Sequence, residues 1–209
     1  MAFIVFEGLD GSGKSTLLKK LKTYVEKKGI KAIHTCEPGG SVFGDKLRDI
    51  LLDTNKDSIP VPRAELLLYQ ASRAQLVETK IKPALDNNQW VLCDRYSASS
   101  LAFQSGARGI KEDLVKWLNS YATQNLEPDL YILLDISTEE SEKRRNDRGQ
   151  KLDRMEQEKS DFHKNVRNTY LSIANSNNTW IILDASLGEK QLWENLLKQL
   201  QLKNIFKEK

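Results

Sequence analysis

Near the start of the chain lies a stretch whose residue types can hold a phosphate. Gly8-Leu9-Asp10-Gly11-Ser12-Gly13-Lys14-Ser15 fits G-x-x-x-x-G-K-[ST], the pattern of a P-loop. Glycines let a backbone wrap an anion with its N–H groups pointing inward. A helix starting inside the loop adds its positive end at the same spot. Lys14 would reach the β- and γ-phosphates as a point charge, and the Ser15 hydroxyl would ligate Mg²⁺. Phosphate binding is therefore expected over Gly8, Leu9, Asp10, Gly11, Ser12, Gly13, Lys14, Ser15 and Thr16. Such a site also needs an Asp to help hold Mg²⁺. Three apolar runs end in Asp, at Asp94, Asp135 and Asp184. Asp94 is the candidate, because Arg95 follows it and sets a cation where two anionic phosphates would meet. Asp135 and Asp184 read as strand-end residues capping the next turn.

The elements that must position these groups are legible around them. Ala2 to Phe6 is an apolar run that reads as a buried strand. Leu17, Leu18, Leu21, Tyr24 and Val25 recur at helical spacing. Further strands are expected over 30–36, 90–94, 130–135 and 180–184. Helices are expected over 63–85 (kinked near Pro83), 97–104, 111–122, 138–176 (broken near 147–153) and 187–202. Another helix places Val42, Leu47, Ile50 and Leu51 on one face. Strands that are continuous apolar runs, alternating with helices, imply a parallel sheet covered on both faces. No repeat or linker divides the chain, so residues 1–209 read as one α/β domain, with a polar, frayed tail over 203–209. Ligands should gather at the carboxyl ends of the strands, where the loop, Glu37 and Asp94 fall.

Composition narrows the function classes. With 32 basic and 29 acidic residues among 209, the net charge is only +3, which gives no reason to expect a nucleic-acid partner. Cys36 and Cys93 are far apart and form no C-x-x-C. They read as reduced thiols of a cytoplasmic protein rather than a zinc site or redox pair. No apolar run approaches the roughly 18 residues of a membrane span, and the first residues do not read as a signal peptide. His34 and His163 are lone and read as structural or surface residues.

With the P-loop, Glu37-Pro38-Gly39-Gly40 and Asp94-Arg95-Tyr96 in hand, the chain resembles the thymidylate kinase family over nearly its whole length. The segments ELLLYQASRAQ (65–75), IKPAL (81–85) and AFQSGARG (102–109) carry the same resemblance. It implies a P-loop NTPase fold with a five-stranded sheet in the order 2-3-1-4-5. It also implies transfer of the γ-phosphoryl of ATP to dTMP with Mg²⁺, a step towards dTTP, by a homodimer. Spacing and periodicity alone stop at a P-loop enzyme of phosphoryl transfer.

The resemblance assigns further roles residue by residue. Asp10 would approach the acceptor's sugar and phosphate. Gly11 stands where one branch of the family carries Arg, so the arginine is expected in a lid over about 144–154. Arg148, supported by Arg154, would serve there, and such an arginine can be worth on the order of 10³–10⁵ in rate. Lys143 and Lys151 read as a solvated face. Lys14, Arg95, Asp10, Arg148 and Arg154 thus form the catalytic set, with Ser15 and Asp94 as metal ligands. On the long helix, Tyr69 and Arg73 share a face four residues apart. Tyr69 would stack on thymine, or else be an amphipathic core residue. Arg73 would donate to thymine O4, where cytosine presents a donor instead. The acceptor phosphate would lie between Arg95 and Arg48, with Pro38 as a wall, although Arg48 could also be an ordinary exposed helical residue. Ser100 and Gln104 would face the base and sugar. Phe103 replaces the family's usual Tyr and can exclude a ribose hydroxyl only by bulk.

Three other classes compete. The nearest, in the same fold, is a kinase for another nucleotide or for a deoxynucleoside; Arg48 and Arg95 suit an acceptor that already carries phosphate and so disfavour the deoxynucleoside. A GTPase switch is disfavoured because Asn55-Lys56-Asp57 lacks the N-K-x-D spacing. A non-catalytic descendant would usually have lost Lys14, Asp94 or Arg95.

Overall fold

The computed structural model describes residues 1–206. Five strands form one all-parallel sheet: β1 (Phe3–Gly8), β2 (Ala32–Cys36), β3 (Trp90–Asp94), β4 (Leu130–Asp135) and β5 (Trp180–Asp184). Their order is β2-β3-β1-β4-β5, as expected. β1 is buried along its whole length at the centre. Alternate residues of a strand face opposite sides, so Phe3 and Val5 enter one core while Ile4 and Phe6 enter the other.

The second core lies under α1 (Lys14–Lys27) and α9 (Glu189–Leu202), through Leu17, Leu21, Val25, Leu192, Leu196 and Leu200. The first lies under α3 (Pro62–Leu76) and α8 (Ser160–Asn175), through Leu76, Val166 and Tyr170. The remaining helices are α2 (Val42–Leu52), α4 (Lys82–Asp86), α5 (Ser97–Ser100), α6 (Glu112–Thr123) and α7 (Thr138–Asp147).

Several expectations need correction. On α2 the buried stripe is Gly44, Leu47 and Leu51. At about 100° per residue this turns Val42 and Ile50 outward, and both are exposed. The long helix over 63–85 is not kinked at Pro83 alone. It passes through a π turn at Val77–Ile81 before α4. Pro83 has no N–H to offer the carbonyl of Thr79 one turn back, and the wider turn falls on that residue. A second π turn, Leu101–Ala107, follows α5. The break between α7 and α8 spans 148–159, longer than expected. Asp135 does not cap a turn: both its oxygens accept from Arg167, at 2.7 and 2.9 Å. Asp184 does cap one, accepting from the Ser186 N–H at 2.9 Å. The segment after α9 is not frayed where described. Ile205 and Phe206 pack on the second core, and Phe206 stacks on Trp90 with centroids 5.7 Å apart. Residues 207–209 lie outside the described part.

Candidate active site

The loop between β1 and α1 is shaped by its glycines. Gly8 has φ 137°, and a Cβ there would sit 2.4 Å from the Leu134 carbonyl oxygen of β4. No larger residue fits. Gly13, at φ 89°, occupies the N-cap of α1 and supplies no capping side chain. By contrast, Ser41 caps α2 and Ser137 caps α7 with their hydroxyls. The first N–H groups of α1 are thus left for an anion. Lys14 is buried beside them. Its Nζ donates to the carbonyls of Gly8 (3.1 Å) and Leu9 (2.9 Å) and lies 3.8 Å from Asp10 Oδ1. Burial, reinforced by Arg95, lowers its pKa against the pull of Asp10. Ser12 is buried with its hydroxyl unpartnered.

β3 delivers Asp94 to the same place. Ser15 Oγ donates to Asp94 Oδ2 at 2.7 Å. A hydroxyl beside a carboxylate is the hard-oxygen set that Mg²⁺ takes, the remaining positions going to water and phosphate oxygens. The two residues therefore fit that ion. Among the described residues no group of three or more His, Cys, Asp or Glu could hold a metal unaided.

Arg95, the next residue, adopts a left-handed backbone at φ 71°. This conformation is rare without glycine, and it aims the guanidinium back across the loop. Nη2 donates to Asp10 Oδ1 at 2.8 Å, Nη1 to the Tyr170 hydroxyl at 3.2 Å, and Cζ lies 5.0 Å from the centre of the Phe103 ring. Burial raises the Asp10 pKa, but Arg95 and then Lys14 outweigh it and hold the carboxyl well below the usual range.

Two cavities meet at this junction. One is lined by all nine residues expected for the acceptor: Asp10, Pro38, Arg48, Tyr69, Arg73, Arg95, Ser100, Phe103 and Gln104. The other runs over Gly11, Gly13, Lys14, Ser15, Thr16 and Asp94 to Arg148. Asp10, Glu37, Arg48, Arg95 and Asp153 line both. Arg48 reaches over the wall, donating to the Pro38 carbonyl at 2.8 Å. Tyr69 is half-buried, and burial, with Glu65 nearby, raises its pKa. Gln104 donates to Glu65 Oε1 at 3.0 Å.

Arg73 is 1% exposed and paired with Glu37, Nη2 to Oε2 being 2.7 Å. Burial pushes the Glu37 carboxyl up against the pull of Arg73.

The two arginines expected in a lid differ. Arg148 follows α7, lines the second cavity and donates to Glu156 Oε1 at 2.7 Å. Arg154 is 6% exposed and lines neither cavity. It donates to the Leu51 carbonyl (2.8 Å) and to Glu65 Oε2 (2.6 Å), pinning the segment between α7 and α8 to α2 and α3. α7 crosses close over Gly11: a Cβ there would lie 3.1 Å from Arg144 Cβ.

Sequence reasoning passed over four contributors. Arg144, expected only as part of the lid, lines the second cavity. Glu7 is wholly buried behind Arg95, accepting from the Tyr96 N–H (2.9 Å), Ser99 (2.7 Å) and Tyr170 (2.8 Å). Burial raises its pKa. A carboxylate inside an apolar strand was the available signal. Glu65 and Asn119 sit in helical patterns that gave none.

A cradle for a polyphosphate thus opens into a pocket walled by aromatic rings and guanidinium groups, which suits a phosphorylated acceptor with a planar base. Comparison with known proteins agrees. A sequence profile described as thymidylate kinase matches residues 6–196. A thymidylate kinase of Bdellovibrio bacteriovorus is 46% identical over 210 aligned positions, covering 98% of each chain. One of Thermosipho africanus is 47% identical over 184, covering 88% of this chain and 90% of its own. One of Prochlorococcus marinus is 42% identical over 208, covering 97% and 96%. Loop, sheet order and similarity along the whole length converge: the chain belongs to the thymidylate kinase family.

Proposed function

We propose that this chain transfers the γ-phosphoryl group of ATP to dTMP, giving ADP and dTDP, as a cytoplasmic step towards dTTP. The observation that carries this reading is the junction of the two cavities at Asp10, Arg48 and Arg95. A donor phosphate in one and an acceptor phosphate in the other would come head to head there.

The chemistry requires little beyond positioning and charge stabilisation. The N–H groups at the start of α1 and the Lys14 ammonium hold the β- and γ-phosphates. Ser15 and Asp94 would hold Mg²⁺, which when bound neutralises phosphate charge. Arg95 and Arg48 fix the acceptor phosphate, whose oxygen is already an anionic nucleophile. That oxygen bonds to the γ-phosphorus as the bond to the β–γ bridging oxygen breaks. Arg148 supplies a planar donor to the oxygens being transferred. Arg154 acts at one remove, through the lid it anchors. Tyr69 stacks on the base and Arg73 donates to thymine O4. Phe103 crowds the sugar where a 2′-hydroxyl would project.

The protein works as a homodimer in this reading. Leu114, Trp117 and Tyr121 are exposed on α6, the latter two by 63% and 77%, with rings stacked 6.0 Å apart. Val61 and Leu67 are exposed at α3, which packs beside α6. Such a patch suits burial against a second copy. No helix among the described residues is long and apolar enough to cross a membrane.

A panel of nucleoside monophosphates with ATP and Mg²⁺, followed by ADP release, tests the activity. dTMP should turn over best. dUMP should follow at reduced efficiency, since a methyl pocket is worth only about 1–3 kcal/mol, and dCMP should be poor. Faster phosphorylation of thymidine than of dTMP would overturn the assignment.

A further inference from the structure

The grip on Arg73 has two sides. A guanidinium has five N–H groups and no acceptor. Here Nε and Nη2 both reach Glu37 Oε2, and Nη2 also donates to the Tyr96 carbonyl at 2.9 Å. Nη1 faces three acceptors: Gln70 Oε1 at 3.1 Å, Ser100 Oγ at 3.0 Å and Asn119 Oδ1 at 2.8 Å. Two hydrogens cannot fill three positions, so one acceptor is surplus. Ser100 lines the acceptor pocket; Gln70 and Asn119 do not. The Nη1 hydrogen aimed at Ser100 Oγ can be shared with an acceptor in the pocket as a three-centre bond. The partners behind the guanidinium have no such outlet.

Asn119 is the most constrained of them. It is buried on the inner side of α6. Its Oδ1 accepts from Gln70 Nε2 at 2.8 Å as well as from Arg73, and its Nδ2 donates to the Ser97 carbonyl at 2.9 Å. This pattern fixes the amide's orientation, since a flip would set its N–H groups against two donors. One side chain therefore ties α6 to α3 and to the start of α5.

We infer that Asn119 is a positioning residue for base selection: it holds Arg73 from behind so that the N–H shared with Ser100 points at the acceptor base. It touches no reacting atom. The inference rests on the reading that Arg73 meets the base. Without Asn119 the guanidinium keeps Glu37, the Tyr96 carbonyl and Gln70 but loses the shortest of its Nη1 contacts. That end then turns more freely, and a donor base such as cytosine is rejected less well.

The test measures kcat and KM for dTMP, dCMP and ATP in the intact enzyme, its Asn119→Ala and Asn119→Asp variants, and Arg73→Lys. Asn119→Ala should raise the dTMP KM about tenfold with kcat within about threefold. The ATP KM should stay put, and the dTMP-over-dCMP preference should fall by about tenfold or more. Asn119→Asp keeps the acceptor oxygen for Arg73 while setting its second oxygen against the Ser97 carbonyl. It should lower the melting temperature yet hold that preference within about threefold of the parent, and it serves alone if the Ala variant does not fold. An Ala variant that weakens dTMP and dCMP by one common factor would overturn the inference, and so would an Asp variant that loses the preference. If Arg73→Lys itself leaves the preference unchanged, the failure lies with Arg73 as base reader rather than with Asn119.

Discussion

Asp10 sits between two cations, 2.8 Å from Arg95 Nη2 and 3.8 Å from Lys14 Nζ. Its lowered pKa makes it a source of stability with a defined sign. That contribution is present above the unfolded carboxyl value of about 3.9 and is lost as pH falls through the lower folded value. The stability gap between the parent and Asp10→Asn, measured by urea unfolding, should therefore be largest near neutrality and shrink below about pH 4. A gap independent of pH would contradict the pairing. Lys14→Ala should abolish transfer yet leave dTMP binding by calorimetry nearly intact, and turnover within tenfold of the parent would remove Lys14 from the mechanism. Tyr69→Ala should raise the dTMP KM far more than the ATP KM. At this scale the sequence was most informative where chemistry demands a type at a spacing, as from Gly8 to Ser15. It was least informative where a polar residue works from behind. Glu7, Glu65 and Asn119 meet their partners across 22 or more residues, and no local pattern records such pairings.

The segment between α7 and α8 separates two arginines that sequence placed together in a lid. Arg148 follows α7 beside the second cavity, whereas Arg154 is locked between α2 and α3 by the Leu51 carbonyl and Glu65. Their substitutions should diverge. Arg148→Ala should cut kcat by at least about 10³ with little change in melting temperature. Arg154→Ala should lower stability by about 1.5–3 kcal/mol, the worth of a charged hydrogen bond, and reduce kcat less. Equal kinetic losses would return Arg154 to the reaction itself. The spacing of charges in 144–154 could not show this division, because burial depends on where α2 and α3 dock. Elements marked by a continuous apolar run were legible to the residue, β3 and β4 among them. The π turn at Leu101–Ala107, which carries Phe103 and Gln104, was not. Hydrogen bonds of that spacing leave no mark in apolar periodicity.

Across the whole molecule, the sheet order places β1 and β3 side by side, and so sets the P-loop next to Asp94 and Arg95. Alternation of strands and helices predicts a parallel sheet, but the order came from family resemblance, since adjacency is a property of the folded chain. The exposed stack of Trp117 and Tyr121 belongs to this scale too. Trp117→Ser with Tyr121→Ser should shift sedimentation towards the monomer while the P-loop stays folded, and an unchanged mass would move the proposed interface elsewhere. Most direct of all would be a crystal of the protein with dTMP, Mg²⁺ and a non-hydrolysable ATP analogue. The thymine ring should lie on Tyr69 with O4 towards Arg73, and the two nucleotides' phosphates should face each other across Asp10 and Arg95. A thymine ring bound away from residues 69 and 73 would contradict the assignment.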